Sequence, residues 1–203
     1  MLAKRSGIRG DTLIEVLFAV TVFSFVAVGA LAIMNQGSAT AQHSLETTLV
    51  RAEIDAQAET LRFIHDSYIA AYPSAVAGTA AEWPKIVAQS VSQASDFGTC
   101  TPPQKSFVVN TKTATVANSS VLTNTVPTYS QVRYAPTIPA TIPATTTTVI
   151  QGAEGIWVEA VRSPIVSGAT SGFIDFHIRA CWDAAGQSTP ATLGTIVRLY
   201  EPR

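Results

Sequence analysis

The stretch Asp11-Thr12-Leu13-Ile14-Glu15 opens the longest apolar run of the chain, which continues from Val16 to Met34 without one charged side chain. A helix needs about 20 apolar residues to cross a hydrocarbon core, and this run is long enough. The basic residues that precede it are Lys4, Arg5 and Arg9, and the next Lys or Arg is Arg51. Because basic side chains stay on the cytoplasmic side, we expect a cytoplasmic N-terminus with the rest of the chain outside.

Three interpretations of this segment compete. A secretory signal peptide would be cut after Ala39-Thr40-Ala41. However, the apolar run exceeds a usual signal core, and Asp11 and Glu15 stand where basic residues are expected. A plain signal anchor accounts for the hydrophobicity but not for Glu15, because a carboxylate at the edge of a membrane span is costly and normally marks a function.

The third interpretation accounts for the basic start, the apolar run and the glutamate together. The segment Arg9-Gly10-Asp11-Thr12-Leu13-Ile14-Glu15-Val16-Leu17 resembles the processing signal of type IV prepilins, and the resemblance covers about Lys4–Gln36. In that family a prepilin peptidase cuts after the glycine, here Gly10. The resemblance therefore implies a leader at residues 1–10, a mature N-terminus at Asp11 and a glutamate at the fifth mature position, Glu15.

Two details of the cleavage site bear on this resemblance. Cutting after Gly7 would place Thr12 at the fifth position, so Gly10 fits better. The first mature residue of the family is usually phenylalanine or methionine and carries a methylated amine, whereas here the methylated residue would be Asp11.

Glu15 is expected to set the register between stacked subunits. Apolar helices alone would slide along one another, and an unpaired carboxylate in lipid costs several kcal/mol. Pairing with the N-terminal amine of a neighbouring subunit would satisfy Glu15 and fix the axial position, as one polar residue fixes register in a coiled coil. A heterologous interface of this kind does not close and grows into a filament. The carboxylate of Asp11 lies beside the same amine and is expected to weaken the pair.

Helical character continues beyond residue 36 to about Ala71, where Tyr72-Pro73 ends it. Apolar residues repeat at steps of three, four and seven, as in an amphipathic helix. One stripe contains Leu45, Leu49, Ala52 and Ala56, and a second contains Ile54, Leu61, Ile64 and Tyr68. At 1.5 Å per residue the whole helix would be about 90 Å long. The chain therefore divides into a leader (1–10), a transmembrane and polymerisation helix (11–36), an amphipathic second half (37–72) and a globular head (73–203).

The head is predicted to contain a short helix and an antiparallel sheet. The helix is expected at Thr79–Gln93. The alternating segments predicted as strands are Ser106–Asn110, Ser130–Tyr134, Gly155–Arg162, Phe173–Cys181 and Thr195–Glu201. The last two form a hairpin around Asp183–Pro190, and the proline-rich stretch Thr137–Thr148 is expected to be an exposed loop. The fold class is thus α+β, with a long N-terminal helix packed on an antiparallel sheet, as the resemblance to pilins also implies.

The cysteines, Cys100 and Cys181, form no C-x-x-C motif. In an exported head they are expected to form a disulfide, and two buried free thiols are the alternative. A bridge closing a loop of roughly 80 residues would stabilise the fold by about 4 kcal/mol on the loop-entropy account. Many pilins carry a comparable clamp on the C-terminal part of the head.

No catalytic or cofactor motif is present in the sequence, and the three histidines are far apart. We therefore expect no enzyme activity, no cofactor and no metal site, and the net charge of −1 favours no nucleic-acid partner. The resemblance to prepilins implies a structural subunit of a type IV pilus, used for surface motility, adhesion or DNA uptake. The alternatives are a pseudopilin of a type II secretion or competence system and a monomeric membrane-anchored binding domain.

The same resemblance implies the partners and the location of the chain. The partners are other pilin subunits, a prepilin peptidase, the membrane and a pilus assembly platform. The chain would be a single-pass membrane protein before assembly and part of an extracellular pilus afterwards.

Overall fold

The computed structural model describes residues 11–74, 77–96, 100–118, 128, 132–137, 150–163 and 172–201. The chain separates into two compact units, Met1–His43 and Ser44–Arg203. The predicted leader with Gly10 lies outside the described residues, as does the Thr137–Thr148 stretch beyond its first residue.

The first element is a single helix, α1, which runs from Asp11 to Ala71. Its last turn closes through the backbone hydrogen bond from Tyr72 N to Tyr68 O, 2.9 Å long. Pro73 follows at once, and the residue before a proline is disfavoured in helical conformation. The predicted end of the helix is confirmed.

The second helical region is shorter than the predicted Thr79–Gln93. A 3-10 helix at Gly78–Ala81 leads into α2, Glu82–Ala88. The chain leaves the helix because Val91 pairs with the sheet instead. Val91 N donates to Ala160 O at 2.8 Å, and Arg162 N donates to Val91 O at 2.9 Å.

Seven strands follow among the described residues. They are β1 (Phe107–Asn110), β2 (Thr115–Asn118), β3 (Arg133–Thr137), β4 (Ile150–Glu154), β5 (Ile156–Arg162), β6 (Phe173–Trp182) and β7 (Ala191–Tyr200). Five of them form an antiparallel sheet in the order β2-β1-β5-β6-β7, and β3 pairs with β4 in a separate two-stranded sheet. The layout is α+β, with a long N-terminal apolar helix and a C-terminal antiparallel sheet.

The strand predictions were confirmed for β1, β5, β6 and β7, and the hairpin between the last two is present. The predicted strand Ser130–Tyr134 overlaps β3 at Arg133 and Tyr134, and β3 continues to Thr137, whereas residues 130 and 131 lie outside the described part of the chain. Strands β2 and β4 were not predicted. Each is short, and pairing with the neighbouring strand defines it. Its own sequence shows too little alternation to indicate a strand.

The core of the Ser44–Arg203 unit lies between the second half of α1 and one face of the sheet. The helix contributes the stripe that contains Ile54, Leu61 and Ile64. The strands β5 and β6 contribute alternate apolar residues. These strand residues are Ile156, Val158, Ala160, Ile174, Phe176 and Ile178. The other predicted stripe is not part of this core, since Leu45 and Leu49 are 55% and 49% exposed.

A buried glutamine attaches the helix to the sheet. Gln57 is fully buried, its Nε2 donates to Val109 O at 2.7 Å, and its Oε1 accepts from Val109 N at 2.9 Å. The side chain completes the hydrogen bonding of β1 there, since β1 pairs with β5 only through Phe107 opposite Val158. A buried backbone group without a partner would be costly.

We expect Gln57→Leu to lower the free energy of unfolding by about 2 kcal/mol, because it leaves the N–H and C=O of Val109 buried and unpaired. Denaturant unfolding followed by tryptophan fluorescence measures this loss. The matched control is Gln104→Leu at an exposed position, which should change stability by less than about 0.5 kcal/mol. Equal stability of the two variants would contradict a structural role for the glutamine.

Candidate membrane and assembly segment

The front of α1 presents apolar side chains to its surroundings on all sides. Large exposed residues run from Leu13 to Met34, among them Phe18, Phe23 and Phe25. By length and composition, α1 is long and apolar enough to cross a membrane, with a mean hydropathy of 2.6 in its most apolar window and none of that window buried. An apolar surface of this extent normally marks contact with a membrane or with another protein.

The hydroxyl groups in this segment are satisfied within the helix itself. Thr21 Oγ1 donates to Phe18 O at 2.8 Å, and Ser24 Oγ donates to Val20 O at 2.7 Å. Their polarity therefore does not oppose an apolar environment. Helical Ser and Thr side chains commonly bond to the preceding turn in this way.

Between Leu13 and Gln42, Glu15 is the only ionisable residue of the sequence. Its side chain is exposed, and it forms no hydrogen bond or ion pair with the side chains that the structure describes, which begin at Leu13. Asp11 is the first residue of α1, so it lies one helical turn before Glu15. A carboxylate in this position needs a cationic partner if the helix becomes surrounded by apolar material.

The two cysteines are joined. Cys100 and Cys181 form a disulfide across a sequence separation of 81 residues, with the Cα atoms 5.6 Å apart. Cys181 is buried within β6, and Cys100 precedes β1. The predicted disulfide is confirmed, and the alternative of two free thiols is wrong.

A buried ion pair lies on the face of the sheet opposite α1, and sequence reasoning did not find it. Glu159 accepts hydrogen bonds from Ser95 N at 3.0 Å and Ser95 Oγ at 2.7 Å, and Arg179 lies 3.6 Å from the same carboxylate. Strand alternation places Glu159 on the outer face, which normally indicates solvent. The segment around Ser95 covers it instead.

A second buried carboxylate connects α1 to β6. Glu46 is only 3% exposed, and its Oε2 accepts a hydrogen bond from Trp182 Nε1 at 3.3 Å. Like Glu159, it is a charged residue inside the head rather than part of the N-terminal segment. It lies four residues before Val50 and eight before Ile54, on the same buried stripe of α1, but a glutamate does not by itself extend an apolar pattern.

Beyond the Glu159 pair, the outer face of β6 and β7 carries an exposed ion pair. Arg198 Nε and an Nη donate to the two oxygens of Asp175 at 2.7 and 2.8 Å, and the guanidinium lies 3.9 Å from the centre of the Phe173 ring. The hydrogen bond from Arg198 lowers the pKa of Asp175 below its usual 3.8. On the same face, burial lowers the pKa of the His177 imidazole.

The lowered pKa of Asp175 predicts a contribution to stability that depends on pH. The unfolded carboxyl binds its proton first, near pH 3.8, so the contribution is present above that pH and is lost as pH falls through the lower folded pKa. We expect Asp175→Asn to be less stable than the wild type at pH 6, with a smaller difference at pH 3. Urea midpoints at the two pH values measure it. A difference that grows on acidification would contradict this assignment.

None of these groups forms a metal site, since the described residues contain no cluster of three or more His, Cys, Asp or Glu side chains able to hold an ion. In comparisons with known proteins, no family model, no curated protein and no solved structure matches the chain.

Proposed function

We propose that the chain is a structural subunit of a type IV pilus, which polymerises through the front half of α1 after removal of a leader at Gly10. The observation that carries the proposal is the exposed apolar segment Leu13–Met34 with a single carboxylate, Glu15, near its start. A membrane anchor alone would need the apolar surface. It would not need an acid at the fifth position after Gly10.

The proposed sequence of events uses the same surface twice. Before assembly, the apolar helix lies in the membrane with the head outside. During assembly it leaves the lipid and packs against the helices of other subunits, where Glu15 pairs with the amine of a neighbouring Asp11. The amine supplies the cationic partner that the carboxylate otherwise lacks in apolar surroundings.

The head supports this role through the links between its elements. Its disulfide, the buried Gln57 bridge and the Glu159–Arg179 pair connect separate elements of one compact unit. Such a unit can be carried on a filament outside the cell, where a disulfide persists. A pseudopilin of a secretion or competence system has the same kind of leader and the same glutamate. It is the alternative function for a subunit that assembles in this way.

The experiment that tests the proposal is the identity of the mature N-terminus, measured by mass spectrometry of material sheared from the cell surface. A start at Asp11, methylated or unmethylated, supports prepilin processing. A start at Met1 would leave a signal anchor with a monomeric surface domain, and a start at Gln42 would leave a secreted domain. Either result would overturn the proposal.

A further inference from the structure

The strand β7 forms one edge of the five-stranded sheet. It spans Ala191–Tyr200, and within the described residues it pairs with β6 alone. Long edge strands with free backbone groups readily pair with another strand, and proteins that remain monomeric usually block them.

The hydrogen-bonding pattern shows which backbone groups of β7 face outward. Glu201, which follows β7, donates its N–H to Gly172 O at 2.9 Å. The odd-numbered residues of β7 are in the same phase and therefore bond to β6. Alternate residues of an antiparallel strand turn their N–H and C=O groups to opposite sides. Gly194, Ile196 and Arg198 therefore direct theirs away from β6, as does Tyr200, whose C=O accepts from His65 Nε2 at 2.8 Å.

The two edges of the sheet differ in how they are protected. At the β2 edge, Val116 N donates to Glu82 Oε2 at 2.9 Å, and Lys85 pairs with the same carboxylate at 2.6 Å. Among the described residues, no side chain caps the outward groups of Gly194, Ile196 and Arg198 in this manner. Strand β7 contains no proline or lysine, and Ile196 is 61% exposed at its centre.

We propose that β7 pairs with β7 of a second copy of the chain, antiparallel and centred on Ile196, so that two heads meet across a two-fold axis. This contact is separate from the assembly through α1 and does not depend on it. A two-fold axis requires a surface that is complementary to itself. Pairing Gly194, Ile196 and Arg198 with the same strand would form about six backbone hydrogen bonds.

The side chains favour this register over its neighbours. Centring on Ile196 brings the two exposed isoleucines together and places each Arg198 opposite a Gly194. Centring on Arg198 would place two guanidinium groups opposite each other, and like charges in that position are destabilising. Because Asp175 already pairs with Arg198 in each head, the charge does not need to be compensated by the second copy.

Crosslinking of the full chain in detergent micelles tests the register. Ile196→Cys would introduce the only free thiol, since Cys100 and Cys181 are bonded to each other. On the axis the two Cα atoms would be about 5.5 Å apart, within disulfide range, so mild oxidation should give a covalent dimer. The control is Tyr200→Cys at a similarly exposed site, where the thiols would be about 27 Å apart and no dimer should form.

A second variant checks the contact without a crosslink. Ile196→Pro removes an N–H that β6 does not use, so the head should remain folded while the pairing with the second copy is lost. Light scattering in the same micelles should show a loss of mass relative to the wild type. Equal crosslinking of the Ile196→Cys and Tyr200→Cys variants, no crosslinking of either, or equal masses of the wild type and the proline variant would overturn the proposal.

Discussion

Replacing Glu15 by alanine is expected to abolish filaments while leaving the chain in the membrane and its head folded. In the proposed filament the carboxylate is paired with a neighbouring N-terminal amine among apolar helices. Removing one partner of a buried ion pair costs about 3–5 kcal/mol, because the other charge stays buried without compensation. A loss of about 3 kcal/mol lowers the equilibrium constant for adding each subunit more than about 100-fold.

The measurement is the amount of subunit in the sheared filament fraction relative to the membrane fraction. The matched control is Ser24→Ala, which removes a polar group from the same segment whose hydrogen bond stays within the helix. That variant should assemble like the wild type. Tryptophan fluorescence of the head should be the same in all three proteins, since the tryptophans lie at 83, 157 and 182. Wild-type filament yield from Glu15→Ala would contradict the role of the carboxylate.

Removing the disulfide is expected to have the largest effect on the stability of the head. The bond closes a loop across 81 residues, and the loop-entropy account gives about 4 kcal/mol for a loop of this length. For a unit of this size, about 4 kcal/mol corresponds to a decrease in Tm of roughly 8–16 °C. Cys100→Ser combined with Cys181→Ser should show this decrease in thermal unfolding under oxidising conditions.

Reduction provides the control for the serine substitutions. If the covalent link is what stabilises the head, a reducing agent should lower the Tm of the wild type towards that of the double variant and leave the variant unchanged. A wild-type protein whose Tm is insensitive to reduction, although its thiols become titratable, would show that the bond does not stabilise the fold.

The sequence predicted the parts of this fold that local pattern determines. The end of α1 at Tyr72-Pro73 follows from proline sterics, and β5, β6 and β7 follow from long alternating segments. The strand β2 was missed because its four residues are held by pairing with β1, which a single sequence does not display. The predicted second helix was too long because Val91 forms a bridge to Val161 in the sheet. Local helix propensity carries no information about such a long-range contact.

The candidate site was likewise predicted only in part from the sequence. The apolar run and Glu15 are visible in the sequence, because membrane contact depends on composition along one segment. The buried polar groups Glu46, Gln57 and Glu159 were not foreseen, because each depends on a partner at least 50 residues away in the chain. Glu159 lies on the face of β5 opposite the core, and the segment at Ser95 covers it there.

The disulfide also affects how the head tolerates proteolysis. It encloses all of β1 to β5 and most of β6 in one covalent ring. A protease that cuts the backbone once anywhere between Thr101 and Ala180 would open the ring without separating the chain into two molecules. Both pieces would remain joined through sulfur, so a nicked chain would keep its C-terminal strands attached to the part that carries α1.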